Sequence, residues 1–108
     1  MTVSELVKTG FTPVILPDPD REITGAYAGD LLSWVMGRAT SGNAWITIMT
    51  NVNIVAVAAL VDISCIILSE GVSLSPDVIE TAKAKNVNVI ATGLPSYEAA
   101  VALSKAIS

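Results

Sequence analysis

Short apolar runs alternate with clusters of small, polar and turn-forming residues along the whole chain. Thr2-Val3-Ser4-Glu5 sets a Thr three residues ahead of a Glu, the spacing of a capping box, and Gly10 supplies a stop. A short helix is predicted over Val3–Thr9. Thr12–Leu16 and Glu22–Ala28 read as strands, separated by Pro17-Asp18-Pro19-Asp20, which two prolines confine to a turn or loop. Asp30 stands where it can cap a helix over Leu31–Met36, closed by Gly37. Ala44–Thr50 is too continuously apolar for a strand with one wet face and suits the inside of a sheet. Ile63–Leu68 and Val87–Ala91 are two further strands. Between them Ser75-Pro76-Asp77 opens a helix with a cap, a proline in the first turn and an acid near the positive end of the dipole. Ser96 is expected to cap a last helix, on which Tyr97, Ala100, Val101, Leu103 and Ile107 form one broad stripe.

Ile54–Val61 is ambiguous by residue type, because Ile and Val favour a strand while Ala56, Ala58, Ala59 and Leu60 favour a helix. Its position decides. It joins two buried strands, and parallel neighbours need a crossover of about a dozen residues. A helix is expected, capped by Asn53 and apolar all round, so that it must be covered on more than one side. From Ala44 onward the order is then β-α-β-α-β-α, which implies parallel strands with right-handed crossovers. The expected fold class is α/β: a three-layer α/β/α domain over residues 1–108, with a mostly parallel sheet of about five strands and room for one antiparallel edge.

Composition sharpens this. The chain is 52% hydrophobic and only 15% charged, against a usual charged share of about 25%. The apolar surplus must lie in a core of small residues or at an interface. Ala39–Val61 carries no charge and is long enough to span a bilayer, but Ser41, Gly42, Asn43, Thr47, Thr50, Asn51 and Asn53 interrupt it. The N-terminus lacks a basic region and an apolar signal core, so a soluble, cytoplasmic chain with no membrane partner is expected.

Histidine is absent, which removes His-based acid–base catalysis, triads and His metal sites. The single Cys65 cannot form an internal disulfide or a Cys-rich zinc site, and within an apolar run it reads as a reduced core thiol. Six scattered basic residues against ten acids, net charge −4, argue against a nucleic-acid partner. Neither a phosphate loop, nor a dinucleotide-binding glycine motif, nor a nucleophile elbow is present, so no cofactor and no catalysis are expected. Asp18, Asp20, Glu22 and Asp30 lack the spacing of a calcium loop, and no metal site is expected.

In open parallel sheets ligands bind beyond the carboxyl ends of the strands. Those ends fall at Gly29-Asp30, Thr50–Asn53, Ser69–Ser73 and Thr92–Ser96. Several precede helix N-termini, where free N–H groups attract anions. Arg21, Asp30, Asn51, Asn53, Thr92 and Gly93 are therefore candidate contacts for a small anionic ligand or nucleotide. The same Asn and Ser residues could serve only as caps and turns. Arg21, in the Pro-rich loop, could clamp a carboxylate, either Asp30 or one on a ligand.

Asp20-Arg21-Glu22-Ile23-Thr24-Gly25, followed by Tyr27, Gly29-Asp30, Trp34 and Asn51-Val52-Asn53, resembles the DRTGG domain family over roughly Ser4 to Ile107. Two residues intervene between Arg21 and Thr24, and Ala26 stands where the motif has its second Gly. The resemblance implies a three-layer fold similar to the N-terminal domain of HPr kinase/phosphorylase. It also implies an accessory, often dimer-forming role, as in fusions to CBS-domain pairs in some inorganic pyrophosphatases and within some phosphotransacetylases. It carries over no catalytic residue.

The expected function is thus a non-catalytic regulatory or assembly module, homodimeric through Leu31, Trp34, Val35, Ile54, Val57 and Leu60, and sensing a small anionic ligand or nucleotide. The alternative is a small phosphotransfer or acyl-phosphate enzyme or enzyme subunit.

Overall fold

The computed structural model describes residues 1–108. Helix α1 (Val3–Val7) is followed by strands β1 (Thr12–Ile15) and β2 (Gly25–Ala28). Helix α2 (Leu32–Arg38), strand β3 (Asn43–Thr47), helix α3 (Asn53–Val61) and strand β4 (Cys65–Leu68) come next. Helix α4 (Pro76–Ala84), strand β5 (Val89–Ala91) and helix α5 (Ser96–Ile107) complete the chain. All five strands join one sheet in the order β1-β5-β4-β3-β2. The pairs β2–β3, β3–β4 and β4–β5 are parallel, and β1 runs antiparallel to β5 at the edge. The sheet is therefore mixed, with its one antiparallel pair at the edge that the N-terminal half supplies.

Alternation along the strands divides the apolar side chains between two cores. Trp45, Ile66, Leu68 and Val89 meet Val35 of α2, Ile54, Val55, Val57 and Ala58 of α3, and Val78 and Ala82 of α4. Ala44, Ile46, Cys65, Ile67 and Ile90 meet Val3 and Leu6 of α1 and Leu103 of α5. Strands buried on both faces explain why Ala44–Ile46 and Cys65–Leu68 carry no solvent-facing polar residue. Much of the apolar surplus is thereby absorbed within one chain. The helix assignment for α3 holds, and it buries four of its nine residues.

Three local expectations change. Glu22–Ile23 is not part of β2. It pairs with the N-terminus instead, through a Thr2–Glu22 bridge and hydrogen bonds from Ile23 N to Met1 O and from Val3 N to Arg21 O. Strand β3 stops at Thr47, and Ile48 is exposed. The capping box on α1 forms as expected: Thr2 Oγ1 accepts from Glu5 N, and Glu5 Oε1 accepts from Thr2 N. The caps expected at Asp30, Asn53 and Ser96 do not. Those helices begin after Leu31, Val52 and Pro95, and none of these N-cap residues makes a side-chain cap hydrogen bond.

Candidate functional site

The carboxyl ends of the parallel strands gather Asp30, Asn51, Asn53, Thr92 and Gly93 at one end of the sheet. Asp30 is drawn back onto β3: its Oδ1 accepts from the Thr47 hydroxyl at 2.7 Å and from Ile48 N at 3.0 Å. Beside it, Trp45 donates its Nε1–H to the Gly29 carbonyl at 2.9 Å, so the β2–α2 turn is held by a fully buried ring. The turn borders an open cavity of about 530 Å³ lined by Tyr27, Ala28, Gly29, Asp30, Leu31, Trp34 and Arg38. Trp34 and Arg38 stand one turn apart on α2, and the guanidinium lies over the indole 3.7 Å from its centroid. The molecule's two ion pairs involve Met1 with Glu22 and Arg21 with Asp62, so Arg38 has no carboxylate partner.

Thr92 belongs to a different concavity, a cleft of about 120 Å³ between Thr9–Phe11 and Leu94–Ala102. β2 and β5 are three strands apart, so Asp30 and Thr92 are separated by roughly 14 Å across the sheet. Asn51 accepts from Asn53 N at 2.9 Å and turns the chain into α3. Thr92 Oγ1 accepts from Leu94 N at 3.2 Å. Gly93, Asn51 and Asn53 line none of the molecule's four concavities.

Two helix N-termini at this end are already supplied with acids. Glu70, in the left-handed region at φ 62°, accepts from Ser96 N at 2.7 Å, and the Ser69 and Ser96 hydroxyls meet at 2.7 Å. The carboxylate at the start of α5 is therefore the chain's own. Asp77 lies in the first turn of α4, and the Ser75 hydroxyl holds its carboxyl below the usual range. α3 meets the site with a neutral side chain, that of Asn51, at its start, and α2, which begins after Leu31, has no acid in its first turn.

Arg21 is at the opposite end of the sheet. It does not pair with Asp30. Its Nη2 reaches both the carboxylate and the carbonyl of Asp62, the left-handed residue that ends α3. The Ser41 hydroxyl donates to the same carboxylate, and these contacts, Ser41's first, hold the Asp62 carboxyl below its ordinary value. Arg21 thus fastens the β1–β2 loop to the α3–β4 turn. A cavity of about 220 Å³ adjoins it, lined also by Lys85 and Asn86.

The dimer candidates divide. Leu31, Trp34 and Leu60 are exposed, at 54%, 52% and 74%. Val35, Ile54 and Val57 are not available to a partner, because they are buried in the core between sheet and helices. The sequence reading took α3 as apolar all round and did not separate its inward face from Leu60. It also left out Tyr27, Arg38 and Glu70. The first two were legible, since Trp34 and Arg38 are four apart on a helix and Tyr27 is the one large residue of β2. Glu70 was not, because its role depends on two loops meeting.

No helix is long and apolar enough to cross a membrane. No three Cys, Asp or Glu side chains gather to hold a metal. No curated protein matches the sequence. Among solved structures, the CBS and DRTGG domains of the regulatory region of Clostridium perfringens pyrophosphatase, complexed with the activator diadenosine tetraphosphate, share the fold. The TM-score is 0.73 at 18% identity, covering 95% of this chain and 45% of that one. The chain thus spans less than half of that regulatory region. The family model of the DRTGG domain matches residues 29–106, from the Gly29-Asp30 turn to the end of α5 and beyond the Asp20–Gly25 segment. By that match, the chain belongs to the DRTGG domain family.

Proposed function

We propose that this chain is a non-catalytic regulatory module of one domain, layered α/β/α like the N-terminal domain of HPr kinase/phosphorylase. It works in the cytoplasm by pairing with a second copy. The observation that carries the reading is the exposed aromatic and aliphatic surface at α2, Leu31 with Trp34 and Met36, beside an open cavity. Large apolar side chains grouped on one surface mark interaction sites. Family membership and the likeness to a pyrophosphatase regulatory region support a regulatory role over a phosphotransfer or acyl-phosphate enzyme. Sedimentation equilibrium at micromolar concentration tests it: a dimer mass is expected, weakened by Trp34→Ala. A monomer at every concentration would refute it.

A second reading, response to a nucleotide, is favoured by the activator in the C. perfringens structure. Asn51 and Asn53 at the start of α3, with Asp30 on one side and Thr92 and Gly93 two strands away on the other, would contact the ligand. Arg21 is excluded by its position. A thermal-shift panel of nucleotides checks this: about 2.7 kcal/mol of stabilisation is expected at 100 times Kd. No shift across the panel would remove the reading.

A further inference from the structure

The two edges of the sheet are built differently. β1 carries Pro13, and its register against β5 shifts between Pro13 and Ile15, so that edge is blunted by a proline and an irregularity. β2, Gly25-Ala26-Tyr27-Ala28, has no proline, no charge and a regular register with β3. It has one neighbour in the sheet, so the backbone groups on its outer side meet no strand of this chain. Ala26 and Ala28 are exposed.

Space lies open on both faces of this strand. Toward α5, a concavity of about 280 Å³ is walled by Ala26, Ala28, Ile46, Ala100, Leu103 and Ile107. Toward α2 lies the 530 Å³ cavity with Leu31, Trp34 and Arg38. Tyr27 and Ala28 border both. Open grooves above and below an unguarded edge are the setting in which a strand is added, backbone bonding to backbone while alternate side chains enter the two grooves.

The charges on this patch say which strand. β2 and β3 are parallel neighbours, so α2, which connects them, runs back against β2. Asp30 follows the carboxyl end of β2, Arg38 ends α2 with its guanidinium over Trp34, and both line the cavity on this side of the strand. One acid and one base without a carboxylate partner on the same patch can be matched by a two-fold rotation, the requirement for an isologous contact. Only Oδ1 of Asp30 is engaged within the chain, by Thr47 and Ile48. We infer that β2 is the seam between two copies, paired antiparallel so that one sheet continues through both. Arg38 of each then faces Asp30 of the other, and the α2 helices carrying Trp34 pack across the axis. The inference rests on the pairing of copies proposed above and gives it a location, away from Leu60 on α3.

Two variants of the full chain test it. Ala26→Lys/Ala28→Lys sets like charges on one face of the seam at exposed positions. The dimer Kd from sedimentation equilibrium is expected to rise at least tenfold, with circular dichroism unchanged. Ala26→Cys is expected to give a covalent dimer with a short bis-maleimide, since paired strands hold side chains roughly 5–8 Å apart. Leu60→Cys is expected to give none. If the Lys variant fails to fold, the cross-link decides. A parent dimer whose Kd is unmoved by the two lysines, or that links through Leu60 and not Ala26, overturns the seam and leaves the pairing intact. A monomeric parent overturns both.

Discussion

Replacing Asp30 separates its work in the fold from any work in binding. Its Oδ1 holds two donors, the hydroxyl of Thr47 and the amide of Ile48. Thr47 is buried, so its hydroxyl has little recourse to water once the carboxylate is gone. Hydrogen bonds to charged groups contribute roughly 1.5–3 kcal/mol each. Asp30 itself is exposed, and the Ile48 amide sits at the surface, where water can replace the lost acceptor. Asp30→Ala should therefore cost about 2 kcal/mol. Asp30→Asn keeps an oxygen in the same place and should cost under about 1 kcal/mol. For a chain of this length about 1 kcal/mol moves Tm by roughly 4 °C. Chemical denaturation with thermal melts as a check should place Ala about 8 °C below the parent and Asn within about 4 °C. An Asn variant as unstable as the Ala variant, or an Ala variant equal to the parent, would refute the bridge between β2 and β3. The Asn variant then becomes the proper probe of any role for the charge, because its fold is intact.

Gly42 sits at φ 87°, and a Cβ there would run into the Thr24 side chain, so Gly42→Ala should cost more than about 2 kcal/mol in urea denaturation; a neutral result would contradict the turn. Burial pushes the Cys65 thiol up to about 12, so a thiol reagent at pH 8 should leave the native chain unlabelled and label it fully in denaturant. Prompt native labelling would place Cys65 elsewhere. The carboxyls of Glu5, Asp62 and Asp77 are all held below their ordinary values. Their stabilisation should be fully present above about pH 5 and fade as pH falls through the lowered folded values. A melting series from pH 7 to pH 2 should show a steady loss of Tm below about pH 4. Asp62→Asn should flatten part of that loss, and an unchanged slope would detach Asp62 from it.

What the sequence could show followed from periodicity, and what it hid followed from contacts between distant segments. β3, β4 and β5 were legible because strands buried on both faces have no polar alternation to confuse the reading, and α3 because parallel strands require a crossover. The start of β2 was not, since Glu22–Ile23 is extended in either case and only its partner differs: the N-terminus, not β3. The caps failed because a small polar residue before a helix has several partners within reach. At Asn53 the choice was local, with Asn51 taking its amide, and at the other two tertiary contacts chose. Asp30 went to Thr47, and Glu70 came from another loop to take Ser96 N. Likewise Arg21 needed a carboxylate, as its place in a Pro-rich loop suggested. The one it found, on Asp62, is 41 residues further on.

The position of Arg21 also changes how the family signature is understood. The segment Asp20–Gly25, where the name motif would fall, lies before the matched residues and at the amino end of the parallel strands. There it closes the fold. Arg21 holds the end of α3, the Ser64 hydroxyl donates to the Glu22 carbonyl, and Thr24 packs over Gly42. The matched residues begin at Gly29, where the chain enters the turn gripped by Trp45. From that turn come both the cavity and α2, with the exposed Leu31 and Trp34 and the unpaired Arg38. In this chain the motif end secures β2 against β3, and the opposite end presents side chains outward. A substitution at Arg21 should then be felt as lost stability with the association constant of the folded chains unchanged, and one at Trp34 as the reverse. That division follows from the sheet itself: a parallel strand brings its amino end to one side and its carboxyl end to the other, and β2 puts its anchor and its offered surface at those two ends.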